Sequence, residues 1–366
     1  MKRHIVLVAC MFAGVCLMLL AKTLGSGSVG GSQAVASGSA GAATHVVVQS
    51  SGRGRPFVNF EDGIELSGTY TGATEMQSVL KQNAVEPRAL ASADFDEDGV
   101  QDLVCGFGSP RGGIITLYRG NVDSIYPNSL EAQQRKAKGG FTESALLSPA
   151  RAFETSVAAG FVGAGDFDAD GHWDLVIGNE GVTAVYLMAG DGKGSFLAPR
   201  KISLPGAVTS LVTGEINRAD GLTDIVVGVV ADDGPKVLVF EGPDGALRAK
   251  PETFLVPGRP RALALGQFDD DYPIDLAIGA GYTLVTVNGR DRRLSLYEIR
   301  QSEVLPAHLE RRSVGFEIRC IAAGDFTGEH ETGLALLSSD GTAYLMGNRD
   351  LRMGQRVKKR YSSENR

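Results

Sequence analysis

Five stretches of this sequence share one grammar, and that repetition constrains the fold more than any other feature. RALASADFDEDGVQDLVCGFG, FVGAGDFDADGHWDLVIGNE, LVTGEINRADGLTDIVVGVV, ALALGQFDDDYPIDLAIGAG and CIAAGDFTGEHETGLALLSS each run from small and apolar residues, through an acidic turn, into a β-branched stretch. Their acidic turns open at Asp94, Asp166, Glu215, Gln267 and Asp325, giving steps of 72, 49, 52 and 58 residues. About fifty residues is the length of one four-stranded propeller blade. A further strand-like run often follows and ends on glycine, as in GIITLYRG, TAVYLMAG, KVLVFEG and TAYLMG. The expected fold is therefore all-β, a propeller of four-stranded blades. Five repeats are recognisable; six or seven blades, or an incomplete propeller, remain compatible with the spacing.

The long first step contains PNSLEAQQRKAKGG, which predicts a short surface helix near 128–138, with Ser129 as N-cap and Gly139 as stop. It reads as an insertion, one of whose uses would be to dock a partner. Forty-eight glycines and few aromatics suit a turn-rich β fold.

Two acidic turns carry metal-ligand spacing. DFDADGHWD places Asp166, Asp168, Asp170 and Asp174 at loop positions 1, 3, 5 and 9, with Gly171 at position 6 and the His172 carbonyl as a further donor. DFDEDGVQD repeats this with Asp94, Asp96, Asp98 and Asp102, Gly99, and the Val100 carbonyl. Oxygen ligands converging from one tight turn suit Ca²⁺, which accepts six to eight of them, better than Mg²⁺. An EF-hand needs a bidentate Glu at position 12, where this chain has Cys105 and Ile177. In the fourth turn Asp269, Asp271 and Asp275 survive, but Gln267 opens it and Tyr272 replaces the glycine. The third, with Glu215, Asn217, Asp220 and Asp224, has one extra residue, and the fifth has Gly333 at its last acidic place. Plain solvated acidic turns are the alternative reading for all five.

At these residues the sequence resembles the FG-GAP or VCBS repeat family, whose members are similar to the propeller of integrin α subunits. The match is most specific over 162–202 and extends more loosely from about residue 88 to 347. The resemblance implies that the metal loops brace the first two strands of a blade and that ligands meet the opposite face.

The N-terminus, MKRH followed by an apolar run over 5–21 and Lys22, predicts a signal peptide or membrane anchor over 1–22. Either form places the remainder outside the cytoplasm: in the periplasm, extracellular, or at the cell surface, with 5–21 as the possible membrane tether. Residues 23–44 are a flexible Gly/Ser/Ala linker spanning roughly 25 Å. The propeller is expected over 45–350, including a partial blade within 46–84, and a polar basic tail over 351–366. Removing the basic residues of the leader takes the formal charge from −7 to −10, which disfavours nucleic acid as a partner. Cys105 and Cys320 read as separate buried thiols.

No nucleophile elbow, metalloprotease helix, zinc spacing or phosphate loop is present in the sequence, and His45, His172, His308 and His330 are scattered. The expected function is noncatalytic: an exported, Ca²⁺-binding propeller that binds a protein or carbohydrate in adhesion or recognition. A polysaccharide lyase or hydrolase on the same scaffold, and a structural spacer of a larger surface protein, are the alternatives.

Overall fold

The computed structural model describes residues 68–109, 111–217, 221–242, 245–248, 250–290, 306–326 and 330–352, and the strands Val47–Gln49, Phe57–Asn59 and Lys358–Tyr361. The leader, the linker and the apolar run at 5–21 lie outside the described residues. So do Asp220 and the side chains of 351–366 other than Leu351.

Five antiparallel sheets follow one another along the chain, and each is a blade. The first contains β4 (Glu86–Ala93), β5 (Asp102–Ser109), β6 (Gly112–Tyr118) and β7 (Ala150–Thr155). The second contains β8 (Phe161–Gly165), β9 (Asp174–Gly178), β10 (Ala184–Met188) and β11 (Arg200–Ser203). The third contains β12 (Gly206–Gly214), β13 (Asp224–Ala231), β14 (Gly234–Phe240) and β15 (Glu252–Leu255). The fourth contains β16 (Pro260–Gly266), β17 (Asp275–Ala280), β18 (Thr283–Val287) and β19 (Leu309–Ser313). The fifth contains β20 (Ile318–Gly324), β21 (Gly333–Ser338), β22 (Ala343–Met346) and β23 (Lys358–Tyr361). β23 lies inside the segment expected to be a polar tail, yet it pairs antiparallel with β22 as the fourth strand of that blade.

The innermost strands pack in series, β4 on β8, β8 on β12, β12 on β16 and β16 on β20. β-branched and leucine side chains of the second and third strands fill each seam. Ile115 and Leu117 meet Leu175 and Ile177 between the first two blades, and Val226 and Val237 meet Leu276 and Ile278 between the third and fourth. Burying each such side chain stabilises the fold by about 1.5–3 kcal/mol. Both faces of the middle blades are covered, so their strands read as continuous apolar runs rather than alternating ones.

The ring is not closed by the same packing: among the described residues nothing comparable joins β20 to β4. The free face of the first blade is instead covered from its own N-terminal side. Helix α1 (Thr74–Lys81) sets Leu80, Met76 and Val79 against Ile114, Ala152 and Phe107, and β3 (Tyr70–Thr71) adds a parallel outer strand to β7. β1 (Val47–Gln49) and β2 (Phe57–Asn59) form a separate two-stranded sheet. The 46–84 region thus supplies a hairpin, an added strand and a covering helix, with no fifth-strand-independent blade of its own among the described residues.

The predicted insertion lies between β6 and β7, as α2 (Val122–Ile125) and α3 (Leu130–Ala137). Ser129 Oγ accepts from the Ala132 N–H at 3.0 Å, and Gly139 takes φ 75° just past the end. Ala132 is buried, whereas Leu130 is exposed. Arg135 anchors the insertion through a two-pronged contact with Asp123 at 2.5 and 2.6 Å, which holds that carboxyl below its usual range. Cys105 is a free thiol, so it is not joined to Cys320, and burial pushes it up to about 11.

Candidate metal centres

Each acidic loop starts where an innermost strand ends and finishes where the second strand begins, so two antiparallel strands hold it at both ends. The first carboxylate folds the turn. Asp94 accepts the N–H groups of Asp98 and Gly99 at 3.0 and 2.8 Å, and Asp166 accepts those of Asp170 and Gly171 at 3.2 and 3.0 Å. The chain is left-handed at the fourth position, Glu97 (φ 56°) and Ala169 (φ 59°), and again at Gly99 and Gly171 (both φ 89°). A Cβ on either glycine would meet nothing within 4 Å, so the requirement there is conformational, not steric.

The last carboxylate does a different job. Asp102 is buried and accepts from Phe95 N–H at 2.9 Å and Gly120 N–H at 2.7 Å; Asp174 accepts from Phe167 N–H at 3.0 Å and Gly190 N–H at 2.9 Å. Burial pushes both carboxyls up to about 6, against the lowering effect of those hydrogen bonds. The second residue of the loop, Phe95 or Phe167, turns its ring into the core while its N–H makes this bond.

The third position carries the informative defect. Asp96 Oδ1 and Asp168 Oδ1 are both buried and have no hydrogen-bond partner. Leaving a buried polar atom unpaired is costly, and it happens here at equivalent positions of two repeats. Burial first, and then the neighbouring Asp170 charge, raise the Asp168 carboxyl. The other oxygen of Asp96 faces Arg119 Nη1 at 3.3 Å.

Ligand oxygens of Asp94, Asp96 and Asp102 lie within 4.8 Å of one another, as do those of Asp166, Asp168 and Asp174. Oxygens about 2.3–2.6 Å from a shared Ca²⁺ can be at most about 4.6–5.2 Å apart, so the spread fits one coordination sphere. The orphaned oxygens therefore fit a cation. Asp98 and Asp170, also expected as ligands, fall outside these groups: their Oδ1 atoms accept the N–H of Val100 at 3.0 Å and of His172 at 2.9 Å. Val100 and His172, expected to offer carbonyls, are thus held in the turn by their amides.

Asp269, Asp271 and Asp275 form a third group within the same distance. Asp275 repeats the pin, accepting from Phe268 and Gly289 at 2.6 and 2.7 Å, while Gln267 donates to the Tyr272 carbonyl at 3.1 Å in place of the first acid. Desolvation and the adjoining Asp269 push Asp271 up to about 6. In the third turn, where 218–220 lie outside the described residues, Asn217 exchanges backbone hydrogen bonds with Ile274 and accepts from the Arg290 N–H at 3.1 Å. In the fifth, Asp325 accepts the His330 N–H at 3.0 Å.

A contact between loops was missed in the sequence. Glu97 Oε1 lies 2.6 Å from His172 Nδ1, joining the first acidic loop to the second and raising the imidazole above its ordinary value.

Residues 166–218 match the model of the FG-GAP-like repeat, from the first acid of the second loop into the third. None of the curated proteins matches the chain. Among solved structures, the chain is similar to BBS1N in a crystal structure of its complex with ARL6DN soaked with lead, at 15% identity over 77% of this chain and 82% of that one, with a TM-score of 0.38. It is also similar to the Dos1 propeller, at 9% identity over 76% of this chain and 59% of that one, with a TM-score of 0.41.

Proposed function

We propose that this chain, a series of propeller blades carrying an FG-GAP-like repeat, is an exported, noncatalytic Ca²⁺-binding module that recognises a protein or glycan at the cell surface or in the periplasm. The observation that carries the cation reading is the pair of buried, partnerless oxygens, Asp96 Oδ1 and Asp168 Oδ1, at the same position of two loops. Asp94, Asp96 and Asp102 would hold one ion, and Asp166, Asp168 and Asp174 a second; Asp269, Asp271 and Asp275 are a third candidate set. A bound cation supplies positive charge to carboxylates that otherwise repel one another. Asp102 and Asp174 tie that charge to the strand ends through the N–H groups of Gly120 and Gly190, so the role is bracing. Carboxylates committed to a cation are not available as general acids or bases, which favours recognition over hydrolysis. Export rests on the basic and apolar N-terminal sequence over 1–22.

Capture from surface or periplasmic extracts with the full chain, in Ca²⁺ and in chelator, tests this reading. A protein or glycan retained in Ca²⁺ and lost in chelator is the expected result. Turnover of a polysaccharide by the purified chain would replace it with the lyase or hydrolase alternative.

A further inference from the structure

The innermost strands carry a second repeated feature, at the end opposite the acidic loops. In β4, β12, β16 and β20 the pairing register skips one residue near the start of the strand. The skipped residues are Arg88, Thr209, Arg261 and Arg319, six positions before the first residue of each acidic loop. Such bulges re-aim a side chain. Thr209, for example, reaches the next blade, donating from Oγ1 to the Pro260 carbonyl at 2.5 Å.

Two residues before the bulge the sequence reads Glu86, Arg259 and Glu317 in the first, fourth and fifth blades, in the tripeptides EPR, RPR and EIR. In the first blade Glu86 pairs with Arg88 at 2.7 Å. In the fourth, the acid is replaced by Arg259, which pairs with Glu180 of the second blade at 2.6 Å. Glu317 is left facing two arginines. Arg261 Nε lies 3.6 Å from its Oε1, and Arg319 Nη2 lies 3.6 Å from its Oε2. Both distances are beyond hydrogen-bonding range, and neither guanidinium donates a hydrogen bond among the described residues. Two planar donor forks and one net positive charge therefore sit at a half-buried position with their hydrogen-bonding capacity unspent. Tyr282 follows the residue that meets this strand: the Gly281 carbonyl accepts from Ile318 N–H at 2.8 Å, between Glu317 and Arg319, and Tyr282 is 62% exposed.

We infer that Arg261 and Arg319 form a carboxylate-binding subsite for an acidic polysaccharide, a uronate whose carboxylate takes the two forks while its ring packs on Tyr282. A carboxylate matches a guanidinium fork bidentately, and an exposed aromatic ring offers the flat apolar face that a sugar ring covers and that a flexible acidic side chain leaves bare. The inference rests on the reading of the chain as a recognition module and names the ligand class of the face opposite the cation loops.

The test is calorimetric titration of the full chain with oligogalacturonate, beside a neutral oligosaccharide and polyglutamate. Expected are binding to oligogalacturonate alone, weakened by salt, a loss of about tenfold or more in Arg261→Gln/Arg319→Gln, and tighter binding in Glu317→Gln, which removes the competing carboxylate. The arginine variant should keep the Ca²⁺-dependent melting of the parent, which shows that it folds. Equal binding of polyglutamate, no binding of oligogalacturonate, or binding indifferent to both substitutions would overturn the assignment. Retention of some other glycan or protein with oligogalacturonate ignored would overturn it too, while leaving the broader recognition reading standing.

Discussion

The carboxylate of Asp174 accepts a hydrogen bond from the backbone N–H of Gly190 at 2.9 Å, across the end of the second blade. Asp174 opens β9 and Gly190 follows β10, so the bond fastens the acidic loop to the third strand. Gly190 has to be glycine, since a Cβ there would lie 2.1 Å from the Trp173 carbonyl oxygen. The same relation joins Asp102 to Gly120 and Asp275 to Gly289, both at 2.7 Å. The nine-residue loop thus encodes two things: acids that converge on a cation position, and one acid that pins the blade.

Those two roles separate on mutation. Asp174→Ala strips the partners from the buried N–H groups of Phe167 and Gly190 and should cost about 2–6 kcal/mol in chelator, at about 1–3 kcal/mol per orphaned group, besides losing the second site's share of the Ca²⁺ increment. Asp166→Ala, whose orphaned N–H groups face solvent, should cost little in chelator and remove the second site's share of the Ca²⁺-dependent stability. Urea unfolding of both variants in Ca²⁺ and in chelator checks the difference, and equal losses of stability in chelator would merge the roles.

Asp168→Asn should change sign with the ion. In chelator it removes one charge from a crowded acidic loop and should melt at or above the parent; in saturating Ca²⁺ it should melt below it. Melting curves in the two conditions decide, and a variant below the parent in both would make Asp168 structural.

Burial pushes Asp102 and Asp174 up to about 6 from an ordinary 3.8, so the folded chain holds those protons more tightly than the unfolded chain. Without ion, their contribution to stability is greatest below the unfolded value and is lost as pH rises from about 4 through about 6. Ca²⁺ favours the ionised carboxylates, so the stability it adds should grow over the same window. Melting against pH with and without Ca²⁺ measures this; a Ca²⁺ increment that shrinks with rising pH would contradict it.

The five blades were readable because each acidic loop and each glycine after a third strand marks a fixed point of the sheet. The fourth strands were not. Arg200–Ser203 and Leu309–Ser313 lie at exposed outer edges, where no packing demands apolar residues, and the basic Lys358–Tyr361 looks like a solvated tail. Motif spacing also grouped Asp98 and Asp170 with the ligands; one oxygen of each accepts a turn amide, as both oxygens of Asp94 and Asp166 do. The core role of Phe95 and Phe167 was visible as an apolar residue between two acids, a pattern that four of the five loops keep with Phe or Ile ahead of Asp or Asn. The arginines at the bulges were visible too, but only the register shows that Arg261 and Arg319 share one carboxylate.

The Glu97 contact should appear in the titration of His172. Its NMR midpoint is expected above the ordinary histidine value and should fall toward it in Glu97→Gln. An unmoved midpoint would detach the first loop from the second.

The central claim, that the first two acidic loops bind Ca²⁺, is tested most directly by the melting temperature of the chain in Ca²⁺ and in excess chelator. Saturating Ca²⁺ at about 100 times its dissociation constant should add about 2.7 kcal/mol per site, a rise of several degrees. Asp94→Ala and Asp166→Ala should each remove part of that rise, and the double variant nearly all of it. Identical melting of the parent chain in Ca²⁺ and in chelator would contradict the account.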